Sequence, residues 1–290
     1  MLRPFKVIHP GTAPDAVGEL VRLGDQAKVY AGGAELILLM RHGILQADCL
    51  VDVKRIPELH GIQAHNGTIH IGAGVTHREI ENDPLVRERL PALADAEGHI
   101  GNVRVRAQGT LGGNLCFADP HADPPTALLA YGADVQVWGR TGERAIPIDK
   151  FLVGTYETAL EPEDIVTRID VPVLPDGWRA SFQRIERFQR PTVNTAVAAR
   201  VQDGHIAGVR LVAGCVGPRA TRLTELENRI QGQALADVSR TLAQSDAYLT
   251  EMLDPVDDLL GSASYKIHVT RVLLQRALGE ACGIPNGAHA

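Results

Sequence analysis

Short apolar runs alternate with segments of helical periodicity along the first fifth of the chain. Strand-like runs occupy residues 1–9, 28–31 and 49–53, and residues 14–24 and 34–42 repeat apolar side chains at helical spacing. Strands that alternate with helices in this way are typical of β-α-β units with a parallel sheet. The pattern therefore predicts a small β-α-β-α-β subdomain at the N-terminus.

The middle of the chain combines a hairpin with longer helical patterns. Residues 61–74 alternate polar and apolar positions on both sides of Asn66-Gly67, which is a strong hairpin signal. Helical patterns follow over 76–96 and over 123–131, where Asp123 is a candidate N-cap. Further strands are predicted at 134–139, 144–147 and 164–172. This part is expected to form a larger lobe of mixed helix and sheet.

Turn residues at 175–177 separate a third part of the chain. The pattern beyond them predicts strands at 180–185, 195–201 and 206–213, and helices at 223–230, 235–249 and 262–281. A small antiparallel sheet covered by helices is the expected arrangement. We therefore predict an α+β protein divided into residues 1–57, 58–175 and 176–290.

Length, charge and cysteine usage narrow the class of protein. A chain of 290 residues has room for about two domains. The net charge of −6 and the lack of a basic stripe argue against a nucleic-acid partner. No apolar run approaches the roughly 20 residues that span a bilayer, and the N-terminus has no secretory h-region. The four scattered cysteines have no C-x-x-C spacing, so we expect no zinc or iron–sulfur ligation and predict free thiols in the cytoplasm.

Two stretches with paired glycines are the candidate sites of chemistry. AGGAEL at 31–36 follows a strand and opens a helix, and TLGGNL at 110–115 places a hydroxyl and a carboxamide beside its glycines. Glycine has no Cβ, so its backbone N–H groups can approach a ligand, and successive N–H groups or a helix N-terminus bind anions. Neither stretch is the dinucleotide fingerprint G-x-G-x-x-G. Each alone is compatible with a tight surface turn, but two together favour a ligand with a diphosphate and a long body.

These stretches resemble the FAD-binding medium subunit of the molybdenum hydroxylases, a family that includes the flavin segment of xanthine dehydrogenase. After AGGAEL and TLGGNL come ADPHADPPTALLAYGADV at 118–135, FLVGTYETALEPEDIV at 151–166, RLVAGCVGPR at 210–219 and YKIHVTRVLLQRAL at 265–278, in the order of the family's motifs. The resemblance covers nearly the whole chain. It implies a two-lobed FAD-binding domain of the PCMH type, followed by a C-terminal domain with a small antiparallel sheet and helices.

The resemblance also implies which residues bind the cofactor. A first loop would line the diphosphate of FAD, and it comprises Val29, Tyr30, Ala31, Gly32, Gly33, Ala34, Glu35 and Leu36. A second loop would surround the flavin side of the cofactor, and it comprises Thr110, Leu111, Gly112, Gly113 and Asn114. Ile100 would lie against the isoalloxazine or belong to the core. Asp123 would accept hydrogen bonds from FAD hydroxyl groups, cap a helix, or do both. Val166 would touch the ring system or fill a strand, and Arg184 stands where the family usually has a lysine.

The sequence offers no Ser/His/Asp set, metal cluster or carboxylate pair, so no catalytic or metal-ligating residue is predicted and the chemistry is assigned to the cofactor. The resemblance implies non-covalent FAD, with molybdopterin on a large partner subunit and [2Fe–2S] clusters on a small one, in a dimer of heterotrimers that reduces an external acceptor. His99 and His121 are interpreted as polar rim residues. The alternatives are a self-contained FAD oxidoreductase and an assembly protein without FAD, and the intact glycine pairs argue against the second.

Overall fold

The N-terminal strands form a parallel three-stranded sheet. In the computed structural model, which describes residues 2–187 and 190–284, the strands lie in the order β1-β3-β2. Their bounds are β1 (Lys6–Ile8), β2 (Ala27–Tyr30) and β3 (Cys49–Asp52), and the crossover helices are α1 (Ala13–Leu23) and α2 (Leu36–Arg41). Parallel neighbours require such crossovers. The predicted N-terminal unit is therefore present.

A five-stranded antiparallel sheet forms the second lobe, in the order β4-β5-β10-β6-β7. The strands are β4 (Ile62–His65), β5 (Thr68–Gly72), β6 (Asp134–Gly139), β7 (Gly142–Pro147) and β10 (Ile165–Pro172), and β8 (Leu152–Gly154) pairs with β9 (Glu157–Thr158). Asn66 and Gly67 at the β4–β5 turn have φ of 49° and 76°. Two left-handed residues in succession are what a tight hairpin turn needs, so the hairpin prediction is confirmed.

The helix predicted over 76–96 is wrong in its extent. The structure has three helices there: α3 (His77–Asn82), α4 (Pro84–Arg89) and α5 (Pro91–Gly98). Each break falls at the residue before a proline, where Asp83 and Leu90 leave the helical region. Proline disfavours a helical conformation at the preceding residue and lacks the N–H that would continue the ladder.

One apolar core joins the first two sheets. It includes Ala16 and Leu20 of α1, Leu111 and Leu115 of the TLGGNL stretch, and Val166 of β10. The remaining helices of the second lobe are α6 (Val103–Arg106), α7 (Leu111–Phe117), α8 (Pro124–Tyr131) and α9 (Ile148–Phe151). Because this core is continuous, the N-terminal sheet is held against the second lobe by apolar packing.

The C-terminal part has its own apolar core and a four-stranded antiparallel sheet. Its elements are β11 (Trp178–Arg187), β12 (Arg190–Gln202), β13 (His205–Gly214), β14 (Thr221–Arg222), α10 (Thr224–Ile230), α11 (Leu235–Ala243), α12 (Asp246–Leu253) and α13 (Ala263–Ala281). The helix predicted over 235–249 is interrupted at Ser245, whose hydroxyl donates to the carbonyl of Leu242. Such a local bond competes with the helical ladder. In the described part of the chain, no helix is both long and apolar enough to cross a membrane.

Candidate functional site

The first loop presents a row of backbone donors that the protein leaves unpaired. Within the described residues, the N–H groups of Gly32 to Leu36 have no backbone or side-chain acceptor, and the helical ladder starts only at Ile37, which donates to the carbonyl of Gly33. Gly33 has φ of 72°, which turns the chain between β2 and α2. Successive N–H groups in such a turn form a concave anion site. Because α2 has only six residues, an anion at this loop would be bound by these N–H groups, and the helix dipole would add little.

The first glycine loop touches the backbone of the two residues that precede the second loop. A Cβ built on Gly32 would lie 2.1 Å from the carbonyl oxygen of Gln108 and 2.9 Å from the Cα of Gly109, the residue before Thr110. Behind the first loop, the Tyr30 ring packs against Gly33 and carries the Lys54 ammonium 3.7 Å from its centroid. The fold therefore brings the two predicted segments together at a contact that excludes a side chain on Gly32.

The second loop differs from the expectation that it offers free N–H groups. Thr110 caps α7 by accepting from the N–H of Gly113 at 3.1 Å, and the N–H groups of Leu111, Gly112 and Asn114 donate to protein carbonyls. Gly112 is a glycine because a Cβ there would lie 2.6 Å from the Cβ of Ala73. Gly113 has an exposed backbone, and Asn114 Oδ1 beside it is buried without a hydrogen-bond partner.

Asp123 lies in a buried polar cluster and does not cap α8. Its carboxylate accepts from Asn194 Nδ2 at 2.8 Å and from Arg184 Nη1 at 2.7 Å, and it makes no capping bond. Pro124 and Pro125 have no N–H to donate, and the N–H of Thr126 donates to the backbone carbonyl of Asp123 at 3.2 Å instead of to its side chain. Burial raises the pKa of Asp123 to about 6, although Arg184 and Asn194 act in the opposite direction. The N-cap interpretation is therefore wrong, and the carboxylate joins the second lobe to the C-terminal sheet.

Arg184 connects this cluster to the segment before the second loop. Its side chain is 5% exposed, and Nη1 also donates to the carbonyl of His99 at 3.0 Å, beside Ile100. Nη2 pairs with Glu186, whereas Nε has no partner. Sequence reasoning missed Asn194, which is fully buried in β12. A carboxamide in TVNTAV, a run that otherwise has only small apolar and threonine side chains, was the signal that could have revealed it.

The two predicted aliphatic contacts lie in different surroundings. Ile100 is half-buried after α5, close to the Arg184 contact with His99. Val166 is 5% exposed on β10, paired with Val137, and belongs to the main apolar core. Burial of Val166 favours its interpretation as strand filling, whereas Ile100 has the exposed surface that a ring contact requires.

Comparisons with known proteins agree with one another. Residues 3–174 match the FAD binding domain in molybdopterin dehydrogenase, and residues 181–281 match the CO dehydrogenase flavoprotein C-terminal domain. This chain belongs to the family of FAD-binding medium subunits of the molybdenum hydroxylases. The family membership predicted from the sequence motifs and the predicted fold class are both confirmed. The medium-subunit chain is thus a subunit of an oxidoreductase.

Individual relatives span the full length of the medium-subunit chain. The carbon monoxide dehydrogenase medium chain of Hydrogenophaga pseudoflava is 34% identical over 279 residues, which are 96% of each chain. The nicotine 6-hydroxylase medium subunit of Paenarthrobacter nicotinovorans is 30% identical over 280 residues, covering 97% of this chain and 98% of the relative. A solved carbon monoxide dehydrogenase from H. pseudoflava, which lacks the Mo-pyranopterin moiety, superposes with a TM-score of 0.92 at 32% identity, over 98% of this chain and 99% of its own.

The residues at the loops fit FAD on structural grounds. A diphosphate needs several donors at once, and the first loop supplies five unpaired N–H groups at Gly32–Leu36. A long polar ligand needs a bare surface and an acceptor, which Gly113 and Asn114 Oδ1 supply. Among the described residues, no group of three or more metal-ligating side chains occurs. The site thus has the donor set of a dinucleotide cofactor.

Proposed function

We propose that this chain holds FAD between its two glycine loops and passes electrons from a partner's [2Fe–2S] clusters to an external acceptor. The observation that carries the proposal is the row of unpaired N–H groups at Gly32–Leu36, packed against the segment that leads into the second loop. Gly32 is buried, and the four residues after it are half-buried or exposed, so a bound ligand can reach their N–H groups. Their natural acceptor is a doubly charged diphosphate.

Each part of the site has a separate task in this proposal. The first loop, Val29–Leu36, donates to the diphosphate, and Glu35 projects into solvent at its end. The second loop, Thr110–Asn114, supplies the bare face of Gly113 and the oxygen of Asn114. Asp123 keeps acceptor capacity for a cofactor hydroxyl, because a carboxylate has about four lone-pair sites and two are used. Ile100 flanks the ring system, and Arg184 fixes Asp123 in place.

FAD supplies the redox chemistry when it is bound, and this chain supplies binding and orientation. We propose a large molybdopterin subunit that oxidises the substrate and a small iron–sulfur subunit that relays the electrons, in a dimer of heterotrimers. Support comes from two solved relatives, a carbon monoxide dehydrogenase that lacks the Mo-pyranopterin moiety of its molybdenum cofactor and a Cu,Mo-CO dehydrogenase. Four free cysteines in the chain favour a cytoplasmic location, where thiols stay reduced.

Cofactor analysis tests the binding part of the proposal. Native protein is expected to contain stoichiometric FAD, and acid precipitation should release it into a yellow supernatant because no covalent bond holds it. A yellow pellet, FMN in place of FAD, or a colourless native protein would contradict this. Substrate-dependent flavin reduction should require added partner subunits. Steady substrate oxidation by the chain alone would support the rival interpretation, a self-contained FAD oxidoreductase.

A further inference from the structure

The backbone of the turn that carries Ile100 is fully paired at His99 and Ile100. Their N–H groups donate to carbonyls in the last turn of α5, both at 3.3 Å. The carbonyl of His99 accepts from Arg184 Nη1 at 3.0 Å. The carbonyl of Ile100 accepts from Arg106 Nη1 at 3.1 Å. A ligand would therefore meet these two residues mainly through their side chains, and that of Ile100 is half-buried.

The guanidinium of Arg106 is itself fixed by a carboxylate. Its Nε donates to Glu81 Oε2 at 2.9 Å, while Nη1 reaches the carbonyl of Ile100. The side chains of Arg106 and Glu81 are 17% and 28% exposed, so water and salt screen this pair only in part. A guanidinium presents its donors in a rigid planar fork, so a carboxylate on one donor sets the direction of the others. Glu81 of α3 thus directs Arg106 of α6 towards the turn.

The chain between the turn and α6 is closely packed. Gly101 has φ of 47°, and a Cβ built on it would lie 3.1 Å from the Cβ of Val105. Asn102 caps α6 by accepting from two N–H groups of its first turn. A short helix that is capped and packed in this way holds Arg106 at a fixed distance from Ile100.

The same turn is tied to the residues assigned to the cofactor. Arg184, which holds the carbonyl of His99, also pairs with Asp123 at 2.7 Å. On the other side, the chain leaves α6 for Gln108, whose carbonyl meets Gly32 of the first loop. Movement of the turn would therefore be felt at the Asp123 cluster and beside the first glycine loop.

We propose that Arg106 is a positioning residue for the cofactor, which holds the turn so that the side chain of Ile100 lies against the isoalloxazine. This inference rests on the proposed function, since it concerns the same site. Arg106 holds the turn from the second lobe, and Arg184 holds it from the C-terminal domain. An aliphatic side chain that is fixed against a flat ring removes apolar surface from water, and the gain is proportional to the area covered. Arg106 makes that contact reproducible without touching the ring.

Arg106→Gln tests the inference, with Arg104→Gln as the matched control. Arg104 is exposed on the same helix, and among the described residues its side chain has no hydrogen bond or ion pair. Hydrogen–deuterium exchange of the apoprotein measures opening of residues 99–102, and quenching of flavin fluorescence measures the Kd for FAD. Arg106→Gln should raise both the exchange rate and the Kd by about tenfold, because a charge-assisted bond to the turn is lost. Arg104→Gln should leave both at wild-type values.

A double-mutant cycle separates positioning from a general loss of stability. If Arg106 acts through Ile100, Arg106→Gln should change the Kd and the visible circular dichroism of bound flavin much less when Ile100 is already alanine. Glu81→Gln keeps Arg106 and should produce the same changes at smaller size, which preserves the test if Arg106→Gln does not fold.

Three outcomes would overturn this inference while leaving the proposed function in place. They are unchanged exchange at residues 99–102 in both the Arg106 and the Glu81 variants, faster exchange with a wild-type Kd and dichroism, and equal effects of Arg106→Gln in the two Ile100 backgrounds. If the wild-type chain binds no FAD, the proposed function itself fails.

Discussion

Replacing Gly32 with alanine is the sharpest test of how the two loops cooperate. The added Cβ would lie 2.1 Å from the carbonyl oxygen of Gln108, and the clash is with backbone on both sides. Ordinary separation requires the loops to move apart by roughly 1 Å or more. Forcing atoms into a packed contact lowers the free energy of unfolding by about 1–3 kcal/mol. For a domain of this size, each kcal/mol lowers Tm by about 2–4 °C.

The larger effect is expected on the cofactor. Displacing the first loop would misdirect one or two N–H groups, each worth about 1.5–3 kcal/mol to a charged acceptor, so FAD affinity should fall by about 10- to 100-fold or more. Quenching of flavin fluorescence on apoprotein measures the Kd, and thermal unfolding of the apoprotein measures Tm. Gly18→Ala in α1 is the control, because no atom lies within 4 Å of its Cβ. If Gly32→Ala keeps the Kd and Tm of the wild type, the inference that the contact at Gly32 excludes a side chain is refuted.

Three further results are expected. Gly113→Val should lose FAD, while Tm of the apoprotein falls by no more than the loss of a helix cap costs, because the Cβ would lie 2.9 Å from Thr110 Oγ1, which caps α7, and otherwise faces the outer surface; full flavin occupancy would contradict this. Burial raises the pKa of Asp123 to about 6, so in apoprotein its protonated form stabilises the fold at low pH. The free energy of unfolding, relative to Asp123→Asn, should fall by about 3 kcal/mol in total, most of it between pH 4 and 6, and level off above about pH 7; a difference between the two proteins that does not change with pH would contradict this. The isolated chain should accept electrons from a chemical reductant but oxidise no organic substrate, as stopped-flow absorbance can show.

Local signals account for most of the predicted elements. The hairpin at Asn66-Gly67 and the crossovers of the N-terminal sheet depend on turn chemistry and periodicity within a few residues, which a single sequence contains. The break of the 76–96 helix was also local, since Pro84 and Pro91 stand in the sequence. Giving apolar periodicity more weight than the prolines produced that error.

The site was less predictable because its contacts are long-range. Asp123 followed by two prolines has the pattern of a capped helix, but its actual partners, Arg184 and Asn194, are 61 and 71 residues away. Nothing near Asp123 shows that β11 and β12 will pass beside it. The glycines of the second loop were likewise explained incompletely, since the close neighbour of Gly112 is Ala73.

The two Gly-Gly pairs look alike in sequence and differ in what their glycines do. In each pair, the first glycine allows two backbones or layers to meet: Gly32 meets Gln108, and Gly112 meets Ala73. The second glycine shapes the ligand side: Gly33 turns the chain at φ 72°, and Gly113 leaves a bare face. Alanine at the first position of either pair should therefore lower both stability and FAD affinity. A side chain at Gly113 meets only the Thr110 hydroxyl and should lower FAD affinity far more than stability, so stability measurements on apoprotein can separate packing from binding.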